Sequence, residues 1–136
     1  MKKVLSASLL MIVGLATQVQ AQNPLAGTAW QFSAHMNPED SLQLIDGVLQ
    51  FGKDTVHLYI LPEKFIGETM AYTRKKNTFT LRKSSGNSPC DVNIPGTYQY
   101  TIKDGKMVLV TVKEGCKARV EALTGEPLKK VALIKK

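Results

Sequence analysis

Tyr72, Tyr98 and Tyr100, Cys90 and Cys116, and His35 and His57 are the side chains through which this chain could do chemistry. Their spacing narrows the choice. The two imidazoles stand on separate strand-like stretches, His57 on the outward side of its own, so no shared metal is expected. Neither cysteine belongs to a closely spaced Cys or His pair, the arrangement that holds zinc, and a Cys90–Cys116 disulfide is the expected use of both. Glu39, Asp40 and Glu63 are loop carboxylates with no partner visible in the sequence. There is no Gly-x-Ser-x-Gly elbow, phosphate loop or dinucleotide fingerprint. The chain is therefore expected to be no enzyme and to hold no metal or cofactor.

The elements that would position these residues are strands. Alternating stretches run over Thr28–Ala34, Val48–Phe51, Thr55–Ile60, Glu68–Arg74, Asn77–Lys83, Thr97–Lys103, Lys106–Val112, Lys117–Leu123 and Leu128–Ile134, separated by Gly, Pro, Asp and Lys turns. Asp104-Gly105 is the clearest turn, because this dipeptide readily takes the positive φ angles of a tight hairpin. A cysteine stands beyond each outer end of that hairpin. Symmetric pairing about the turn puts Cys90 opposite a position about three residues from Cys116, which makes the bridge geometrically reasonable. Pro38–Ile45 reads as one helical turn capped by Asn37, and Ser84–Pro95 as an irregular loop that the disulfide tethers.

Pairing the strands tests the pattern. About Lys75-Lys76, Tyr72 faces Phe79 and Met70 faces Leu81. About Gly52–Asp54, Phe51 meets Val56, Leu49 meets Leu58 and Gln50 meets His57, while about Asp104-Gly105 Tyr100 meets Leu109 and Ile102 meets Met107. Each hairpin has one apolar face. Consecutive antiparallel hairpins with one inner face predict an all-β fold, a small up-and-down antiparallel barrel of about eight strands, which leaves no long open edge. Val108, Val110 and Val112 fall on the outer side, so either a bulge shifts the register there or the N-terminal connector covers them.

Lys2 and Lys3 before the apolar run Val4–Ala16, with small residues at Val19-Gln20-Ala21, predict a signal peptide over residues 1–21 and one domain over 22–136. The apolar run is too short to cross a bilayer, no later segment is apolar enough, and Gln22, not a lipobox cysteine, follows the cut. A periplasmic or secreted location is expected. The full chain carries 18 basic and 11 acidic residues, a net charge of +7. Without Lys2 and Lys3 the balance is 16 against 11, or +5, and its clusters at Arg74-Lys75-Lys76 and Lys129-Lys130 suit solvated turns or an anionic contact.

The stretch Leu25-Ala26-Gly27-Thr28-Ala29-Trp30 resembles the opening Leu-x-Gly-x-Trp strand of lipocalin-like proteins, with one extra residue before the tryptophan. Gly96-Thr97-Tyr98, Asp104-Gly105-Lys106 and Cys116-Lys117-Ala118-Arg119 resemble the closing half of small secreted bacterial lipocalin-like domains, with Glu114 in the acidic place. The resemblance implies a barrel that binds a small hydrophobic or amphipathic ligand. It also implies structural roles for Trp30, plugging the closed end, and Arg119, lying against its ring. Tyr72, Tyr98, Tyr100, Phe79, Met70 and Leu58 are the candidate ligand contacts on the inner face. A buried phenol needs a hydrogen-bond partner, so these tyrosines require water, protein groups or a polar ligand atom. The alternative is a filled core without a cavity, in a protein-interaction or inhibitor domain that uses Ser84–Pro95 and the outer valines. A nucleic-acid role is not expected, because the aromatic side chains face inward.

Overall fold

The computed structural model describes residues 22–35 and 44–136. Eight strands form one closed antiparallel barrel in chain order: β1 (Thr28–His35), β2 (Leu44–Phe51), β3 (Thr55–Ile60), β4 (Phe65–Lys75), β5 (Thr78–Gly86), β6 (Gly96–Lys103), β7 (Lys106–Glu114) and β8 (Leu128–Val131). A helix, α1 (Lys117–Thr124), joins β7 to β8. β8 closes the ring by pairing with both β1 and β7. The signal-peptide segment and most of the connector Pro38–Ile45 lie outside the described residues, and its last two residues, Leu44 and Ile45, are strand.

Alternation sets two hairpin registers as expected. Phe51 pairs with Val56 and Leu49 with Leu58, and across the next hairpin of this kind Tyr100 pairs with Leu109 and Ile102 with Met107. At the latter turn Asp104 and Gly105 have φ of 53° and 72°, the positive angles that this dipeptide favours. The β4–β5 hairpin differs from expectation: Tyr72 pairs with Leu81 and Arg74 with Phe79. The chain turns one residue later, through Lys76 and Asn77. Moving a turn by one residue moves every partner by two, so the inner and outer faces are unchanged.

Lys117–Leu123 is helix, not strand. Lys, Ala, Arg, Glu and Leu are among the best helix formers, and Arg119 and Leu123, four residues apart, are its two buried side chains. The alternation of Ala118, Val120 and Ala122 is incidental to that spacing. α1 packs against β7 and β1, where β8 is too short to fill the wall between them. β8 itself stops at Val131, and the residues after it run over the outer wall, with Ile134 N–H donating to Gln50 Oε1 at 2.7 Å.

One apolar cluster fills the inside, from Leu25 and Trp30 through Phe51, Phe79 and Tyr98 to Leu128. Burying each large apolar side chain stabilises the fold by roughly 1.5–3 kcal/mol. Val108, Val110 and Val112 stay on the outer side and exposed. The register does shift between Thr97 and Tyr98, across from Val112, but the shift does not turn the valines inward.

Candidate functional site

The barrel interior is where the sequence places its candidate residues, and the fold brings them together. Phe79 of β5 stands at the centre: its ring centroid lies 5.7 Å from Phe51, 5.9 Å from Tyr98 and 5.7 Å from Tyr100. Phe51 meets Tyr72 edge-on at 5.2 Å. Met70 is buried in the same cluster, and Leu58, half-buried, packs against it. A cavity large enough for water would leave wet surface on the lining side chains. Trp30, Leu49, Phe51, Phe79, Tyr98 and Met107 have at most 1% exposure.

Each inward phenol is satisfied by the protein. Tyr72 donates to Gly52 O at 2.7 Å and accepts from Asn23 Nδ2 at 2.8 Å, so the segment before β1 and the β2–β3 turn cover it together. Burial, more than any neighbouring charge, raises its pKa above the ordinary value. Tyr100 donates to Lys76 O at 3.2 Å and accepts from Arg74 Nη1 at 3.5 Å. Tyr98 donates to Glu114 Oε2 in a short bond. Burial first, then that bond and the carboxylate charge, push the Tyr98 phenol far above its ordinary range.

Glu114 joins Tyr98 to the helix and the disulfide. Its Oε1 accepts from Cys116 N–H at 2.8 Å. Arg119 Nε lies 3.0 Å from Oε2, close enough for charge pairing although its N–H is not aimed along the contact. The guanidinium also donates to Ile94 O at 2.9 Å and to Leu81 O at 3.5 Å. Gly96 makes the arrangement feasible, because a Cβ there would stand 1.8 Å from Glu114 Oε2. The Gly-x-Tyr element thus seats a buried carboxylate.

Cys90 and Cys116 are bonded, with Cα atoms 5.5 Å apart. Lys83 secures the tethered loop by donating from Nζ to Ser88 O at 2.9 Å and to Cys90 O at 3.1 Å. Arg119 sits on α1 and not on a strand, with its guanidinium on Glu114 and two carbonyls. Among the described residues no cation-to-ring contact links it to Trp30. Trp30 is buried, and its indole N–H donates to Thr28 Oγ1 at 2.8 Å. His57 Nδ1 shares a 3.1 Å hydrogen bond with Thr69 Oγ1 on the outer wall, and His35 ends β1.

Sequence reasoning missed the joint role of Gly96, Lys83 and Asn23. Asn23 and Lys83 carried no local signal, since each meets a partner brought up by the fold. Gly96 was visible as part of Gly-x-Tyr, and only its carboxylate neighbour explains it. Among the described residues, hollows on the outside include one of about 290 Å³ beside the disulfide, lined by Pro89, Ile94 and Lys117, and one of about 490 Å³ under the C-terminal residues, lined by Val48, Leu61 and Leu133. Comparison with family models, curated proteins and solved structures gives no match to the chain.

Proposed function

We propose that this chain is an exported, non-catalytic, disulfide-stapled barrel that works through its outer surface, as a protein-interaction or inhibitor domain. The observation that carries this reading is the saturation of the interior: three phenols point inward and each finds its hydrogen-bond partner in the protein. A ligand placed there would have to displace packed rings and then replace those bonds. The exterior, by contrast, leaves Val108, Val110 and Val112 exposed along one strand, and exposed apolar groups of this kind are what partner surfaces bury. The disulfide suits an oxidising compartment, in keeping with the leader that the sequence suggests. A lipocalin-like ancestry belongs to the same proposal. The closed up-and-down barrel supports it, as does the cluster in which Gly96, Tyr98, Glu114 and Arg119 meet.

A second reading, a small hydrophobic ligand held among Tyr72, Tyr98, Tyr100, Phe79, Met70 and Leu58, draws on one feature. Tyr100 is the most loosely held phenol, with its longer bonds and 8% exposure. Native mass spectrometry of the protein purified from its own host separates the two. A co-purifying chain is expected. A retained small molecule, lost in Tyr100→Phe, would overturn the protein-interaction reading in favour of the second.

A further inference from the structure

Lys103 of β6 pairs across its hairpin with Lys106 of β7, and Lys106 pairs in turn with Lys129 of β8. Three exposed ammonium groups therefore stand in one row on the outer wall, where like charges set opposite one another repel. Lys130, whose N–H donates to Gly105 O at 2.8 Å, pairs with Trp30, so its side chain leaves β8 on the side opposite Lys129 and is not part of the row beside the Asp104-Gly105 turn. Asp104 is the carboxylate of that turn. Among the described residues none of these lysines forms a salt bridge, and the ion pair found is Arg119 with Glu114. Protection of a bare edge does not account for the row, because Lys106 and Lys129 each have strand partners on both sides, the second neighbour of Lys129 being Gln31.

Next to the row on the same outer face, β7 carries Val108, Val110 and Val112, which are 46%, 57% and 60% exposed. β8 ends its pairing with β7 at Met107, and all four residues from Val110 to Lys113 are exposed. We propose that the lysine row and the valine stripe form one docking surface for an acidic protein segment that carries apolar side chains beside its carboxylates. This rests on the reading of the chain as a protein-interaction barrel. Charge complementarity selects the partner, since carboxylates on the row relieve a repulsion built into the free protein. From Lys106 through Val108 to Val110 the stripe advances in two-residue steps of roughly 7 Å, the spacing of alternate side chains in an extended segment. An anionic bilayer fits less well. The patch offers valine and none of the tryptophan or phenylalanine that anchors a protein at a lipid interface.

Anisotropy titration of the full chain against a fluorescent peptide of alternating glutamate and leucine tests the surface. Saturable binding that weakens at high salt is expected. It should fall at least about tenfold in the double variant Lys106→Glu/Lys129→Glu and about threefold in Val110→Ser, with no change in Lys53→Glu on the β2–β3 turn. Thermal unfolding of each variant separates loss of fold from loss of binding. Absence of peptide binding, equal weakening by Lys53→Glu, or binding only to phosphatidylglycerol vesicles would overturn the proposal. A host partner whose hydrogen-exchange footprint lies on the tethered loop instead would remove this patch and leave the protein-interaction reading standing. A host-purified protein with a small molecule and no partner chain removes the reading itself.

Discussion

The buried phenols of this barrel are held in two different ways. Tyr72 and Tyr100 reach the hairpin turns, where backbone carbonyls of Gly52 and Lys76 accept from them and Asn23 and Arg74 donate to them. Tyr98 instead joins a buried charge pair, Glu114 with Arg119, next to the Cys90–Cys116 bridge. These bonds to turn residues involve no buried carboxylate and can be exchanged for water at modest cost. A buried carboxylate cannot, because it and its guanidinium were both taken out of water and rely on each other's charge and on a fixed set of protein hydrogen bonds. One region is therefore a cover and the other a lock.

Removing the lock should have the largest effect. Glu114→Ala leaves Arg119 buried without its charge partner and is expected to lower stability by about 3–5 kcal/mol in urea unfolding. The double variant Glu114→Leu/Arg119→Met should lose less than the single one, and a loss under about 1 kcal/mol for Glu114→Ala would erase the contrast. Next comes the staple. Cys90→Ser opens a link across 26 residues and should cost about 3 kcal/mol under oxidising conditions, with no further loss on adding reductant.

The third test is alkaline. The Tyr98 pKa is raised by burial and by Glu114, so the folded state favours the neutral phenol. Its contribution is complete below the unfolded value near 10 and is lost as pH rises above it, by up to roughly 1.4 kcal/mol per pH unit. Tyr98→Phe should flatten that slope in pH-dependent denaturation. The smallest effect is expected at the cover. Tyr100→Phe removes two long hydrogen bonds and should cost about 1 kcal/mol or less, measured by the same unfolding curves. A loss as large as that of Glu114→Ala would show that the two regions are held alike.

Much of the fold was legible because it is local. The pairing of Leu49 with Leu58 and of Tyr100 with Leu109 follows from alternation and a short turn. The β4–β5 register escaped by two residues because Lys75, Lys76 and Asn77 can each occupy a turn, and alternation is blind to an even shift. α1 escaped because a seven-residue stretch fits both periods, and the gap between β7 and β1 decided between them. At the candidate site, the inward direction of Tyr72, Tyr98 and Phe79 was readable. What satisfies the phenols was not, since Asn23 meets Tyr72 across 49 residues and Glu114 meets Tyr98 across 16.

By itself, then, the chain's order of residues determined most of the strands, their faces, the Asp104-Gly105 turn and the pairing of its two cysteines, because each depends on near neighbours or on there being two thiols to join. Only tertiary closure decided that the rings meet in a filled centre, that Glu114 is buried against Arg119, and that Lys129 joins the hairpin pair Lys103 and Lys106 in one row. Those outcomes depend on which distant strands become neighbours, and hydrogen bonding around a closed ring settles that for all eight strands together.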